Sequence, residues 1–180
     1  IMVTFGTGIG GGIILGGRLY RGAGGVHPEI GHHVLAAAGG LCTCGARGCW
    51  ESLACGPALA SLYSARNPGS PPLTARGICA AAEAGDASAL AAIGEVGANI
   101  GLGLANLVNI FAPDRIALGG GLMQGERLFA PSIEAALERN CRLVRRSTTA
   151  IVPAELGGRA GLAGAAAAWI NRERERRERI

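Results

Sequence analysis

Glu29-Ile30-Gly31-His32 and then Cys42-Thr43-Cys44-Gly45-Ala46-Arg47-Gly48-Cys49-Trp50-Glu51 place one imidazole and three thiols within eighteen residues, bracketed by two carboxylates. A structural zinc site takes four nitrogen or sulfur donors in a tetrahedron, and Cys3His is one of its standard closed sets. Cys42 and Cys44 flank a single residue, so both thiolates can point to one side of a tight loop. Gly45 and Gly48 let the backbone turn back and bring Cys49 to the same ion. Four donors close such a site, which leaves Glu29 and Glu51 for other work. The alternatives are a reduced, buried thiol cluster without metal and a disulfide framework. A chain of 180 residues can bury a core and has no need of disulfide staples.

The composition around this stretch fits one domain with its own core. Hydrophobic residues make up 49% of the chain, much of it Ala, alongside 31 Gly, and no uninterrupted apolar run approaches the roughly 20 residues of a membrane span. All 17 basic residues are Arg, the net charge is only +4, and much of the Arg lies in the tail from Asn171 to Arg179. That tail intersperses Glu with Arg, so pairs of opposite sign three and four residues apart support a solvated helix. A nucleic-acid patch would show basic charge without neutralising acids. The remaining cysteines, Cys55, Cys79 and Cys141, lie in apolar surroundings and read as small core fillers.

Residues 1 to 5 read as an apolar strand that starts at once, as if inside a longer protein. The run Gly6-Thr7-Gly8-Ile9-Gly10-Gly11-Gly12 reads as its turn, Ile13-Ile14-Leu15 as a second strand, and Arg18-Leu19-Tyr20 as the return after Gly16-Gly17. A helix is expected from Ser52 to Ala65 despite Gly56-Pro57, and Thr74 and Asp86 read as helix N-caps. From Asp86 to about Phe111 the apolar spacing is helical, and Gly94, Gly97, Gly101 and Gly103 would let another element approach closely. Arg115 to Leu118 reads as a buried strand, Phe129 to Cys141 as a helix beginning near Pro131, Ala150 to Val152 as a strand, and Gly161 onward as an Ala-rich final helix. Strands alternating with helices point to an α/β layered fold.

Gly6 to Gly12 lies between strands and not before a helix, which excludes the dinucleotide fingerprint and the P-loop. A glycine-rich hairpin can still present backbone N–H groups to phosphate oxygens, with Thr7 adding a hydroxyl; it can equally be only a tight turn. Gly119-Gly120-Gly121 after a buried strand would let backbone approach a flat ligand such as a nucleotide base.

Together with Leu118-Gly119-Gly120-Gly121-Leu122 and Gly161-Leu162-Ala163-Gly164-Ala165-Ala166, these motifs occur in the order and spacing of the ROK family of sugar kinases and sugar-responsive repressors, which the chain resembles over essentially its whole length. The look is closest to the bacterial glucokinase branch, while His27-Pro28 before Glu29 also occurs in fructokinase-type members. The resemblance implies an actin-like ATPase, ribonuclease-H-like fold, of which this chain would be the larger, C-terminal lobe. It also implies ATP with Mg2+ as phosphoryl donor and structural zinc on His32, Cys42, Cys44 and Cys49. Glu29, His32 and Glu51 would hydrogen-bond sugar hydroxyls, Thr7 and Gly8 would meet the ATP phosphates, and Gly119 and Gly120 would line the adenosine. A cytoplasmic enzyme, assembled as a homodimer or homotetramer at full length, is implied as well. His33 falls outside the motif and reads as a surface or loop histidine.

The family's Asp-x-Gly-Gly-Thr phosphate loop and its catalytic Asp do not occur here. Asp86 and Asp114 are the only aspartates and both sit at helix ends. Phosphoryl transfer depends on positioning together with a base and Mg2+, so the base is expected in a missing N-terminal half and the segment alone is expected to be inactive. Three readings follow: an ATP-dependent hexose kinase acting on glucose; the sugar-sensing part of a ROK repressor, whose phosphate loops tend to be degraded; or a zinc-stabilised domain that has lost catalysis. Leu162, Ala165, Ala166 and Trp169 on the last helix are expected to lack a full set of packing partners.

Overall fold

The computed structural model describes the backbone of residues 1–177 and the side chains of these except 146 and 172–177. The ion pairs expected along the 171–179 tail fall outside the described residues.

Alternation at Val3 and Phe5 makes β1 (Met2–Phe5) a strand with one fully buried face. Its partner β2 (Ile9–Gly12) runs antiparallel, with Val3 opposite Gly11 and Phe5 opposite Ile9. The turn is therefore only Gly6-Thr7-Gly8, and Gly10 to Gly12, expected as turn, are strand. The reason is space: a Cβ on Gly11 would lie 2.1 Å from Ile30 Cδ1, so the loop carrying Ile30 can lie against β2 only where the strand has no side chains. After Ile13, β3 (Ile14–Leu15) and β4 (Arg18–Leu19) form a separate two-stranded hairpin around Gly16-Gly17.

The chain then covers the sheet with helices before returning. α1 (Trp50–Ala54) and α2 (Gly56–Arg66) replace the one helix expected from Ser52 to Ala65, with Cys55 extended between them. Gly56 and Pro57 open α2, a position where Pro costs no intrahelical bond. α3 (Ala75–Glu83) and α4 (Ala87–Phe111) begin at the expected caps: Thr74 Oγ1 accepts the Gly77 N–H and Asp86 accepts the Ala89 N–H. α4 packs on α1, α2, α3 and α5. By length and composition it is apolar enough to cross a membrane, but half of that window is buried inside the fold. β5 (Arg115–Gly119) then pairs parallel to β1, and β6 (Ala150–Pro153) parallel to β5, giving the sheet order β2-β1-β5-β6. β5 is buried through Ile116 and Leu118 on one face only, less than the full burial its sequence suggested.

Between them α5 spans Glu126–Asn140, with Pro131 inside it rather than at its start. One lost backbone bond near the helix start is outweighed by burying Phe129 and Ile133. α5 meets α4 at the expected small residues: a Cβ on Gly97 would lie 3.0 Å from Phe129 O and one on Gly101 would lie 2.6 Å from Ile133 O. Gly103 faces the Trp50 indole, not α5. The final helix α6 (Ala160–Arg177) leaves Leu162, Ala165, Ala166 and Trp169 exposed, Leu162 by 79% and Trp169 by 67%.

The Asp86 cap gives a pH test. The Ala89 N–H, with the Tyr63 hydroxyl and Ser88 N–H adding, holds its carboxyl below the usual value of about 3.9. The stability it contributes is thus complete above that value and is lost as pH falls through the lower folded one. Asp86→Asn keeps a cap but cannot titrate, so its melting temperature should fall less between pH 5 and pH 3 than that of the parent protein. Equal acid slopes would remove Asp86 from the account.

Candidate functional site

Residues 26–50 have little regular structure and are held by backbone hydrogen bonds around glycines. The Gly45 N–H donates to Cys42 O and the Cys42 N–H to Ala46 O, closing a tight loop with Gly45 at φ +91°. Gly48, at φ +67°, donates to Gly40 O and accepts from Leu35 N–H and Ala36 N–H. The loop thus turns where the two glycines allow it, and Cys49 swings back beside Cys42 and Cys44.

His32, Cys42, Cys44 and Cys49 offer four donor atoms that all lie within 4.8 Å of one another. Cys44 Sγ and Cys49 Sγ are 3.6 Å apart, as are Cys42 Sγ and His32 Nδ1. Zinc bond lengths of about 2.3 Å to sulfur and 2.0 Å to nitrogen give tetrahedral edges of roughly 3.5–3.8 Å, so both separations match that ion and the Cys3His donor set suits it. The thiols also point to a cation. The Cys44 backbone N–H, followed by the Cys44, His32 and Cys49 side chains, brings Cys42 down to about 7 against the effect of burial. Burial, with the neighbouring thiols adding, pushes Cys49 up to about 12. Three clustered thiols cannot all ionise without positive charge between them. With Nδ1 of His32 facing Cys42, Nε2 is the ring nitrogen left for another contact.

Glu29 is exposed and sits at the start of the short 3-10 turn Ile30–His32. Glu51 lies in the first turn of α1 and is not wholly free: its Oε2 accepts the Ile9 N–H at 2.8 Å. A Cβ on Gly8 would lie 2.3 Å from that oxygen, so Gly8 packs against the carboxylate. The structure therefore brings Glu51 and Gly8, expected on different ligands, into direct contact.

His33 lies in the loop, as expected, but is not a freely solvated surface residue. It is half-buried, its Nδ1–H donates to Ile30 O at 2.5 Å, and its ring centroid is 5.2 Å from that of Trp50. Its Nε2 is buried without a partner among the described residues. Nothing in local spacing separates the two adjacent histidines; Trp50, seventeen positions after His33, does.

A cavity of about 740 Å³ opens beside the Gly6-Thr7 turn, between the start of α3 and the Gly121–Gly125 segment. Thr7, Thr74, Arg76, Cys79, Glu83 and Gln124 supply its polar and polarisable lining. Arg76 Nη2 donates to Gln124 Oε1 at 3.3 Å, and Arg127 pairs with Glu83. Cys79 is thus partly a cavity wall and not simply a core filler; burial, with Glu83 nearby, pushes its thiol up. Cys55 and Cys141 are buried as expected. Gly119 and Gly120 do not line this cavity, whereas Gly121 does. Gly120, at φ +92°, backs onto the strand instead: a Cβ there would lie 2.3 Å from Phe5 O, while one on Gly119 would meet Met2 Cε at 2.8 Å. Arg76, Glu83 and Gln124 went unread because only the meeting of α3 with the segment before α5 makes them neighbours.

The Asp86 carboxylate is structural, whereas Asp114 takes part in the fold through its backbone carbonyl. Asp86 is engaged by Ala89 N–H and the Tyr63 hydroxyl, and Asp114 O accepts the Ala150 N–H at the β6 junction.

A family model described as the ROK family matches residues 1–172. A glucokinase of Streptomyces coelicolor is 37% identical over 184 residues, covering 92% of this chain and 57% of that protein. The transcriptional dual regulator NagC of Escherichia coli is 31% identical over 170 residues, covering 90% of this chain and 42% of the regulator. Among solved structures, a ROK family glucokinase from Streptomyces griseus in complex with glucose and AMPPNP superposes with a TM-score of 0.79 at 35% identity, over 93% of this chain and 59% of that one. The chain therefore spans about half the length of the relatives it matches, and its mixed sheet and helices are a lobe of the actin-like ATPase fold.

Proposed function

This chain belongs to the ROK family, and we propose that it is the larger, C-terminal lobe of a cytoplasmic, homo-oligomeric, ATP-dependent hexose kinase that converts glucose to glucose 6-phosphate. The observation that carries this reading is the intact Gly6-Thr7-Gly8 turn at the edge of a 740 Å³ cavity. A protein that only senses sugar has no need of such a turn. The likeness to a glucokinase seen with glucose and AMPPNP supports the same ligands here.

In this reading Glu29, His32 through Nε2, and the Glu51 oxygen not held by Ile9 accept or donate hydrogen bonds to the hydroxyls of the hexose. A polyol is told from its isomers by rigid, directional partners, since a misplaced hydroxyl leaves a buried group unpaired. Thr7 and the backbone N–H groups of its turn, with Gly8 fixing their approach, meet the ATP phosphates. The nucleoside lies in the cavity against Gly121, while Gly119 and Gly120 let the β5 end close onto β1. Zinc on His32, Cys42, Cys44 and Cys49 would orient the sugar contacts and leave water unactivated; Mg2+ would come with ATP. The base that takes the sugar hydroxyl proton is supplied from outside these 180 residues: the Asp86 carboxylate is engaged in capping α4, and neither Asp86 nor Asp114 lines the cavity.

The likeness to NagC favours a second reading, the sugar-sensing part of a repressor. Turnover of glucose, fructose, mannose and N-acetylmannosamine by the full-length protein, with and without a zinc chelator, separates the two. Turnover highest on glucose and lost with chelation is expected. Sugar binding without turnover on any of the four would favour the repressor, and turnover by the 180 residues alone would overturn the external base.

A further inference from the structure

We infer that Glu51 is a positioning residue through which the Cys-His loop holds the Gly6-Thr7-Gly8 turn in shape, so that metal occupancy and nucleotide affinity are coupled. The inference rests on the reading that this turn meets nucleotide phosphates.

A turn whose residues are mostly glycine has no side chains to select one backbone conformation, and its loss of entropy on ordering is the largest of any residue type. Its shape must be imposed by neighbours. Within the turn only the Gly6 N–H to Gly8 O bond, at 2.9 Å, is made. Beyond the pairing of Phe5 with Ile9 that closes the hairpin, two hydrogen-bonded restraints come from the segment that follows the thiol Cys49. Glu51 Oε2 takes the Ile9 N–H at 2.8 Å at one end, and the Gly56 N–H donates to Gly6 O, also at 2.8 Å, at the other. Gly8 lies against the Glu51 carboxylate with no room for a Cβ between them. From the opposite side Gly31 presses on Ile9, where a Cβ would fall 2.3 Å from Ile9 O.

The two residues that hold Ile9 sit close to donors of the metal cluster: Gly31 beside His32, and Glu51 two residues after Cys49, whose carbonyl accepts the Ser52 hydroxyl at 2.8 Å. Ile9 is thus held between the two segments that the metal would tie together. Releasing the ion lets those segments separate, loosens the Ile9 N–H bond and returns conformational freedom to the turn. A nucleotide must then order that turn at the expense of its own affinity.

The test uses full-length protein without sugar, comparing the parent with Glu51→Ala and Glu51→Gln, each zinc-loaded or chelator-treated. Binding of a non-hydrolysable ATP analogue is measured by calorimetry and exchange of the Ile9 amide by NMR. Glu51→Ala is expected to weaken nucleotide binding about tenfold, within the usual span of coupling between sites, and to speed Ile9 exchange while the Val3 and Phe5 amides stay protected. Glu51→Gln keeps an oxygen for the Ile9 N–H and should restore most of the affinity. Chelation should weaken the parent by a similar factor and add little to Glu51→Ala. Unchanged affinity in Glu51→Ala with metal dependence intact overturns the coupling, as does slow Ile9 exchange in that variant. If Glu51→Ala does not fold, Glu51→Asp, which draws the oxygen back by one methylene, carries the same comparison. A parent protein that binds no nucleotide overturns the kinase reading instead, and Ile9 exchange still decides the Glu51 contact.

Discussion

Gly48→Ala is expected to dismantle the Cys-His loop and to be among the most damaging single-methyl additions in the chain. Gly48 adopts φ +67°, a region that carries a penalty of about 1 kcal/mol for Ala. That penalty is the smaller part. A Cβ there would lie 1.6 Å from Ala36 O and 2.6 Å from Ala36 C, and both are backbone atoms that no rotamer change can move. The Ala36 carbonyl is itself fixed by the Gly39 N–H at 2.7 Å, and Gly48 makes three further backbone bonds. Relief must come from moving the chain at position 48, which carries Cys49 with it. A loss of roughly 3–5 kcal/mol is expected, on the scale of severe backbone strain. Metal affinity should fall by at least about 10- to 100-fold, as when a ligand's support is removed.

Gly45→Ala is the control. Gly45 has φ +91° in the same loop, but a Cβ there meets nothing within 4 Å. It should cost only the backbone penalty, about 1 kcal/mol. Melting temperatures of the two variants, with zinc affinities from a competing chelator, decide the matter. Equal losses would show that conformation and not crowding governs position 48.

Trp50→Ala should produce the other large effect. Trp50 is fully buried, edge-on to Phe5 with ring centroids 5.4 Å apart, and its Nε1–H donates to Asn99 O at 2.9 Å. Its indole occupies the space that Gly103 leaves on α4, where a Cβ would be 2.0 Å from the ring. Removing it leaves a cavity that α4 cannot collapse into, at a cost of about 3–5 kcal/mol. For a domain of this size that is a drop of about 6–20 °C in melting temperature. The effect has its own optical signature: the chain has two tryptophans, and Trp169 is 67% exposed. Trp50→Ala should abolish the blue-shifted emission and leave only that of a solvated indole. A drop of only a degree or two would mean that the Trp50 pocket closes, with α4 and α1 moving together.

Both variants act at the joint between the Cys-His loop and the helices, and the two sides of that joint differ in what the chain alone discloses. The four donors are legible because Cys-x-Cys, two glycines and one more Cys close a loop through bonds spanning only a few residues. The Thr74 and Asp86 caps are legible for the same reason, each bonding an N–H three residues on. α4 is legible from its 3.6-residue period. By contrast, the strand character of Gly10 to Gly12 depends on pairing with β1 and on Ile30 crossing over it. The break at Cys55 frees the Gly56 N–H for Gly6, fifty positions away. His32 turns to the thiols and His33 to Trp50 and Ile30, and the cavity wall at Arg76, Glu83 and Gln124 exists only where α3 meets the segment before α5.

By itself the amino-acid order determined the caps and the long central helix, because each rests on contacts that close within one or two turns of chain, and it disclosed the donor cluster and the α/β class through residue type and the order of elements. Tertiary structure alone decided that Glu51 grips the Gly6-Thr7-Gly8 turn, that Gly121 and not Gly119 or Gly120 faces the cavity, and that Gly8 and Gly31 must lack a Cβ. Those outcomes depend on backbone segments tens of residues apart being brought to within van der Waals distance, and spacing along a chain carries no record of that approach.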